Sequence, residues 1–120
     1  MSSMSFPELI DGLNADIARL RSAAAEPMRA FSGLARAALE PGALDVKTKE
    51  LIATAIAVAV RCDGCIGFHA KAAIKAGASR EEIVEALSMA IYMDAGPSMI
   101  YAAEALRAFD ELSSLEPVST

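Results

Sequence analysis

Two cysteines and one histidine are all the thiol and imidazole groups the chain has. All three fall in one short stretch, Cys62-Asp63-Gly64-Cys65-Ile66-Gly67-Phe68-His69. Rare reactive residues gathered in this way mark a site, and the spacing indicates its kind. Two residues between the cysteines allow a disulfide loop across a helix start with little strain. His69 follows Cys65 by four residues, so on a helix the two share a face, one turn apart. An imidazole there can take the Cys65 proton or hold its thiolate as an ion pair. Backbone N–H groups at the helix start favour charge on sulfur by about 0.3–1 kcal/mol, and Arg61 adjoins the pair. Together these would draw a thiol from about 8.5 towards neutrality. Two other readings compete. The cysteines could be small buried hydrophobes beside a packed histidine. Alternatively, Cys62, Cys65 and His69 could bind zinc with Glu50 or Asp63 as the fourth ligand. Against zinc, the chain has no second Cys-x-x-Cys and no second histidine to bring ligands from a separate segment. Redox chemistry is the preferred reading.

The elements that must hold these residues are helical throughout. From Pro7 to about Ala25, Leu9, Ile10, Leu13, Ile17 and Leu20 repeat at helical spacing, with Ser5 or Phe6 ahead of an N-terminal proline. Pro27 reopens the chain, and Met28, Phe31, Leu34, Ala35 and Ala38 make a second helix that stops at Glu40-Pro41-Gly42. Asp45 caps a third, running through Val46–Val60 to about Arg61. Asp63-Gly64 should interrupt the helix, so a fourth is expected from about Cys65 to Ala76, with Gly77 just past its end. Ser79 and Glu82 form a capping box for a fifth, which ends at Ala95-Gly96-Pro97. A sixth runs from Ser98 to about Leu112 and leads into a polar tail. Asp94 reads as a helix-end residue rather than a catalytic acid. No strand, repeat or low-complexity linker is visible, so the expected fold is all-α, with about six helices in a single domain over residues 1–120.

Composition agrees with this and excludes several functions. Of the 120 residues 54% are hydrophobic, 22% charged and 5% aromatic, and much of the apolar share is alanine, the strongest helix former. The formal charge of −5 argues against nucleic acid or an anionic membrane surface as a partner. The longest apolar run, Leu51 to Val60, would span about 15 Å, half of a hydrocarbon core of about 30 Å. It is expected to be a buried helix enclosed by neighbours. Met1 to Leu9 carries no basic or apolar export signal, so a cytoplasmic location and resting thiols are expected. No phosphate loop, dinucleotide fold pattern or flavin signature appears, and no cofactor is expected. Mean hydropathy is +0.36, high for a chain this short, and the excess apolar surface points to a homo-oligomer. Met89, Met93, Met99 and Ile100, with Tyr92 and Tyr101, read first as core. An apolar pocket leading to the thiols is the alternative for them.

Glu50, eleven residues, Cys62-x-x-Cys65, three residues and His69 resemble the signature of the AhpD-like alkylhydroperoxidases, in the carboxymuconolactone decarboxylase superfamily. The likeness extends over a motif-bearing core of about 42–109. It includes Leu44-Asp45-x-Lys47-Thr48-Lys49-Glu50-Leu51-Ile52, Ala76-Gly77-Ala78, Glu81-Glu82-Ile83-x-Glu85-Ala86 and Gly96-Pro97. The resemblance implies a small helical fold, assembled as trimers or hexamers, that reduces hydroperoxides or small disulfides. By position, Cys65 would attack the peroxide, Cys62 would resolve the sulfenic acid, and His69 with Glu50 would form the proton relay. Without the motif Glu50 would read as a solvated helix residue. A dithiol or lipoyl protein would supply the electrons. Family members best known as peroxidases carry a second histidine between the cysteines, where this chain has Gly64. The namesake decarboxylases lack the cysteine pair, so a cofactor-free lyase is the weaker implication.

Overall fold

A computed structural model describes residues 4–115. Six helices follow in order: α1 Phe6–Ala23, α2 Ala25–Leu39, α3 Val46–Ala59, α4 Asp63–Lys75, α5 Arg80–Asp94 and α6 Gly96–Ser113. No strand occurs among the described residues, and the all-α expectation holds. None of the helices is long and apolar enough to cross a membrane. Residues 1–3 and the end of the polar tail lie outside the described residues.

The helix starts follow from side chains that satisfy the orphan N–H groups of a first turn. Ser5 and Ser79 each form a reciprocal capping box, with Glu8 and Glu82 respectively, and the Asp45 carboxylate accepts from Thr48 N–H at 2.8 Å. Helix α2 begins at Ala25, two residues ahead of Pro27, and two further starts also come earlier than the sequence suggests. Helix α4 begins at Asp63, because the Cys62 sulfur serves as its cap and an acidic residue suits the first turn. Helix α6 begins at Gly96, with Pro97 in its first turn, where a missing N–H costs nothing.

Helices α3 to α6 pack around a core in which Val58, Thr54, Ile66 and Ile83 are fully buried. Ala57, Ala70, Ala102, Ala105 and Ala108 join them, so alanine serves here as a small spacer between closely packed helices. Helix α1 lies across α4 and α6. Two glycines of α4 make that approach possible. A Cβ on Gly67 would stand 3.2 Å from both Ile10 and Phe6, and one on Gly64 2.9 Å from Leu13. The start of α1 is tied to α6, since Phe6 N–H donates to Glu111 Oε1 at 2.7 Å and the Arg107 guanidinium sits 4.8 Å over the Phe6 ring.

Two expectations about burial are corrected. Helix α3 is not enclosed on all sides within its own chain, for Ile52, Ile56 and Val60 form an exposed stripe along it. Met89, Tyr92, Met93, Met99 and Ile100 are exposed rather than core, Met99 lining an open apolar hollow between α5 and α6 with Val84 and Leu106, and only Tyr101 of that set packs against the core. A helix that contacts neighbours on one side leaves the other side open whatever residues occupy it. Helix α2 packs on α1 and buries none of its residues, although Met28, Phe31 and Leu34 repeat at helical spacing.

Candidate active site

The turn between α3 and α4 shapes the site. Helix α3 ends with two reversed hydrogen bonds, Arg61 N–H to Val58 C=O at 3.1 Å and Cys62 N–H to Ala57 C=O at 3.0 Å. Such an ending needs a left-handed residue, and here it is Arg61, at φ +59°. Helix α4 ends in the same way, with Gly77 at φ +92°. Glycine carries no penalty in that conformation, whereas a residue with a β-carbon pays about 1–2 kcal/mol. Cys62 is thus the last residue of one motif and the cap of the next, its sulfur accepting from Cys65 N–H at 3.2 Å.

Cys62 and Cys65 are bonded to each other, with their Cα atoms 5.2 Å apart. The redox reading and the disulfide loop drawn from the spacing are compatible with this pairing. Among the described residues no group of three His, Cys, Asp or Glu side chains is arranged to hold a metal ion.

His69 stands one turn beyond Cys65 on α4, and its Nδ1 lies 2.7 Å from Oε1 of Glu50 on α3. Glu50 is 4% exposed, so its local reading as a solvated residue is wrong. A buried carboxylate requires a partner, and His69 provides it. With Glu50 ionised the hydrogen must sit on Nδ1, which leaves Nε2 as the lone-pair nitrogen of the ring. The imidazole side chain is 38% exposed and open to a substrate.

The residues on either side of Cys62, Arg61 and Asp63, have charged neighbours of their own. Glu104 of α6 faces Asp63 of α4, and partial burial together with that like charge raises its carboxyl above the usual range, while Arg107 opposes the shift. Arg61 Nη2 is 3.2 Å from Asp94 Oδ2, and the buried Ser98 donates its hydroxyl to the same oxygen at 2.9 Å. The sequence offered no signal for this contact, since the partners are dozens of positions apart and Asp94 reads locally as a helix end. The position between the cysteines, Gly64, is where α1 rests through Leu13.

An all-helical bundle that places a Cys-x-x-Cys pair at one helix start, with a glutamate–histidine couple one turn on, defines the class. The chain belongs to the carboxymuconolactone decarboxylase family, whose sequence signature matches residues 25–108. It is 40% identical over 102 residues to an uncharacterised protein of Cupriavidus necator, a match covering 85% of this chain and 90% of that protein. The structure is similar to that of an apo family member from Legionella pneumophila, at 53% identity and a TM-score of 0.88, covering 90% of this chain and 96% of that one. A family member from Thermotoga maritima, for which a part in antioxidative response has been suggested, is 31% identical with a TM-score of 0.79. That match covers 88% of this chain and 91% of the other.

Proposed function

We propose that the protein is a thiol-dependent peroxidase or disulfide oxidoreductase in which Cys65 is the attacking thiol, Cys62 the resolving thiol, and Glu50–His69 the proton relay. The observation that carries this is the 2.7 Å contact between Glu50 and His69, one turn beyond a cysteine bonded to its Cys-x-x-Cys partner. The Cys65 thiolate attacks the terminal oxygen of a hydroperoxide, the O–O bond breaks, and the departing alkoxide takes a proton. His69 is suited to take the Cys65 thiol proton on Nε2 as the thiolate forms and to return it to that alkoxide, because Glu50 holds the opposite nitrogen and stabilises the imidazolium. The Cys62 thiol then displaces hydroxide from the Cys65 sulfenic acid, which yields the disulfide and water. An external dithiol returns both sulfurs to thiols.

The exposed stripe on α3, the exposed methionines of α5 and the unburied α2 support a homo-oligomer, of trimer or hexamer size by family resemblance.

Counting thiols by mass on the reduced protein, before and after one equivalent of hydroperoxide, tests the cycle. Loss of both thiols in the wild type is expected, with a trapped sulfenic acid at Cys65 in Cys62→Ser. Two thiols untouched by peroxide would sink the peroxidase reading. Activity on a lactone acid that persists in Cys62→Ser/Cys65→Ser but needs His69 would establish the lyase instead.

A further inference from the structure

Arg61 and Ala95 are the two residues other than glycine that carry a positive φ among the described residues, at +59° and +57°. One stands in the α3–α4 turn and the other in the α5–α6 turn, at the same end of the bundle. Strained residues of this kind persist where the surroundings over-determine them, and they gather at functional sites. Here a side-chain network joins the two turns. Arg61 pairs with Asp94, the neighbour of Ala95, and the hydroxyl of Ser98, fully buried, fixes the shared carboxylate oxygen. The chain uses glycine at the end of α4, where only the turn is needed. It keeps arginine where the same turn adjoins the cysteines, so the guanidinium is in use there.

We infer that Asp94, braced by Ser98, is a positioning residue for the cysteine pair: through Arg61 it holds the α3–α4 turn so that the Cys62 sulfur stays at the head of α4 within bonding reach of Cys65. The inference rests on the redox cycle proposed above. The step it serves is closure. The Cys62 thiolate attacks the Cys65 sulfur, an S–S bond forms, and the group on Cys65 leaves with the electron pair. That group is hydroxide from a sulfenic acid, completed to water by the Cys62 proton, or glutathione thiolate from a mixed disulfide. Both the direction of attack and the cap on the Cys62 sulfur depend on the turn, so loosening it slows closure.

The test follows reduced protein mixed with oxidised glutathione, quenched with acid and read by mass, which separates the protein–glutathione mixed disulfide from the closed Cys62–Cys65 form. Asp94→Asn and Arg61→Gly are expected to accumulate the mixed disulfide, with closure slowed about 3- to 10-fold. Arg61→Lys should retain most of the rate. Asp110→Asn breaks the Arg80–Asp110 pair, which joins α5 to α6 at the end of α5 away from Asp94, and should close at the wild-type rate. Thermal unfolding of Arg61→Gly should show no loss of stability, since glycine suits the turn, and this separates positioning from general weakening. Wild-type closure rates in both Asp94→Asn and Arg61→Gly would overturn the inference, as would equal slowing in Asp110→Asn. A wild-type protein that never closes the disulfide would overturn the redox cycle itself, and this inference with it.

Discussion

A carboxylate as enclosed as that of Glu50 needs a hydrogen-bond partner inside the protein, and Nδ1 of His69 at 2.7 Å is that partner. The coupling works in both directions, since the glutamate fixes the ring's tautomer and the ring satisfies the glutamate. Substitution of either should therefore impair one function. His69→Ala and Glu50→Ala are each expected to slow thiol oxidation by hydroperoxide roughly 10²–10⁴-fold, measured as the rate of thiol loss in stopped reactions. Unchanged rates in both would remove the relay from the mechanism. This pairing was only partly legible in the sequence. The spacing of Cys65 and His69 was readable because a helix imposes it. Glu50 had no local signal, because α3 is apolar on nearly every side and offers no polar face from which a buried acid would stand out. Its role was suggested only by the family spacing, and its burial is decided by α4 packing against it.

At the level of elements, the small residues of α4 determine what can lie on it. Gly67 sits against Phe6 and Ile10, both core residues with no room to move, whereas nothing lies within 4 Å of a Cβ built on Gly33 in the middle of α2. Alanine is the better helix former by about 0.8–1 kcal/mol, and at Gly33 that gain should appear in full. At Gly67 the added methyl should cost about 1–2 kcal/mol net, because close packing resists even one extra carbon. Urea unfolding of Gly33→Ala and Gly67→Ala checks the pair. A Gly67→Ala protein as stable as Gly33→Ala would mean that α1 is not seated on α4. Caps of Ser and Asp were readable from sequence because their side chains act within three residues. The cap at Cys62 was not, since cysteine is no usual cap and takes the position only because the turn at Arg61 delivers its sulfur there.

For the whole molecule the main fact is apolar surface left uncovered. Ile56 is 56% exposed, Met93 75% and Tyr92 79%, while α2 contributes nothing to the core. Scattered exposed hydrophobes need no explanation, but a stripe repeating every four residues on a helix does. If that stripe meets another copy, Ile56→Asp should dissociate the assembly while leaving the fold of each chain intact, because the side chain already faces outwards. Sedimentation velocity with circular dichroism checks both halves. A wild-type protein that sediments as a monomer would end the assembly reading. The net charge of −5 is low enough for apolar contact to outweigh the repulsion between copies.

By itself the sequence determined the helices, most of their ends and the identity of the reactive stretch. Periodicity, capping and i to i+4 spacing are local, and the backbone enforces them wherever the chain goes. Tertiary structure decided which acid joins the histidine, which face of α3 stays open, and why an arginine occupies a turn made for glycine. Each of these depends on residues far apart in the chain, here Glu50 with His69 and Arg61 with Asp94. Only the packing of one helix on another sets those distances.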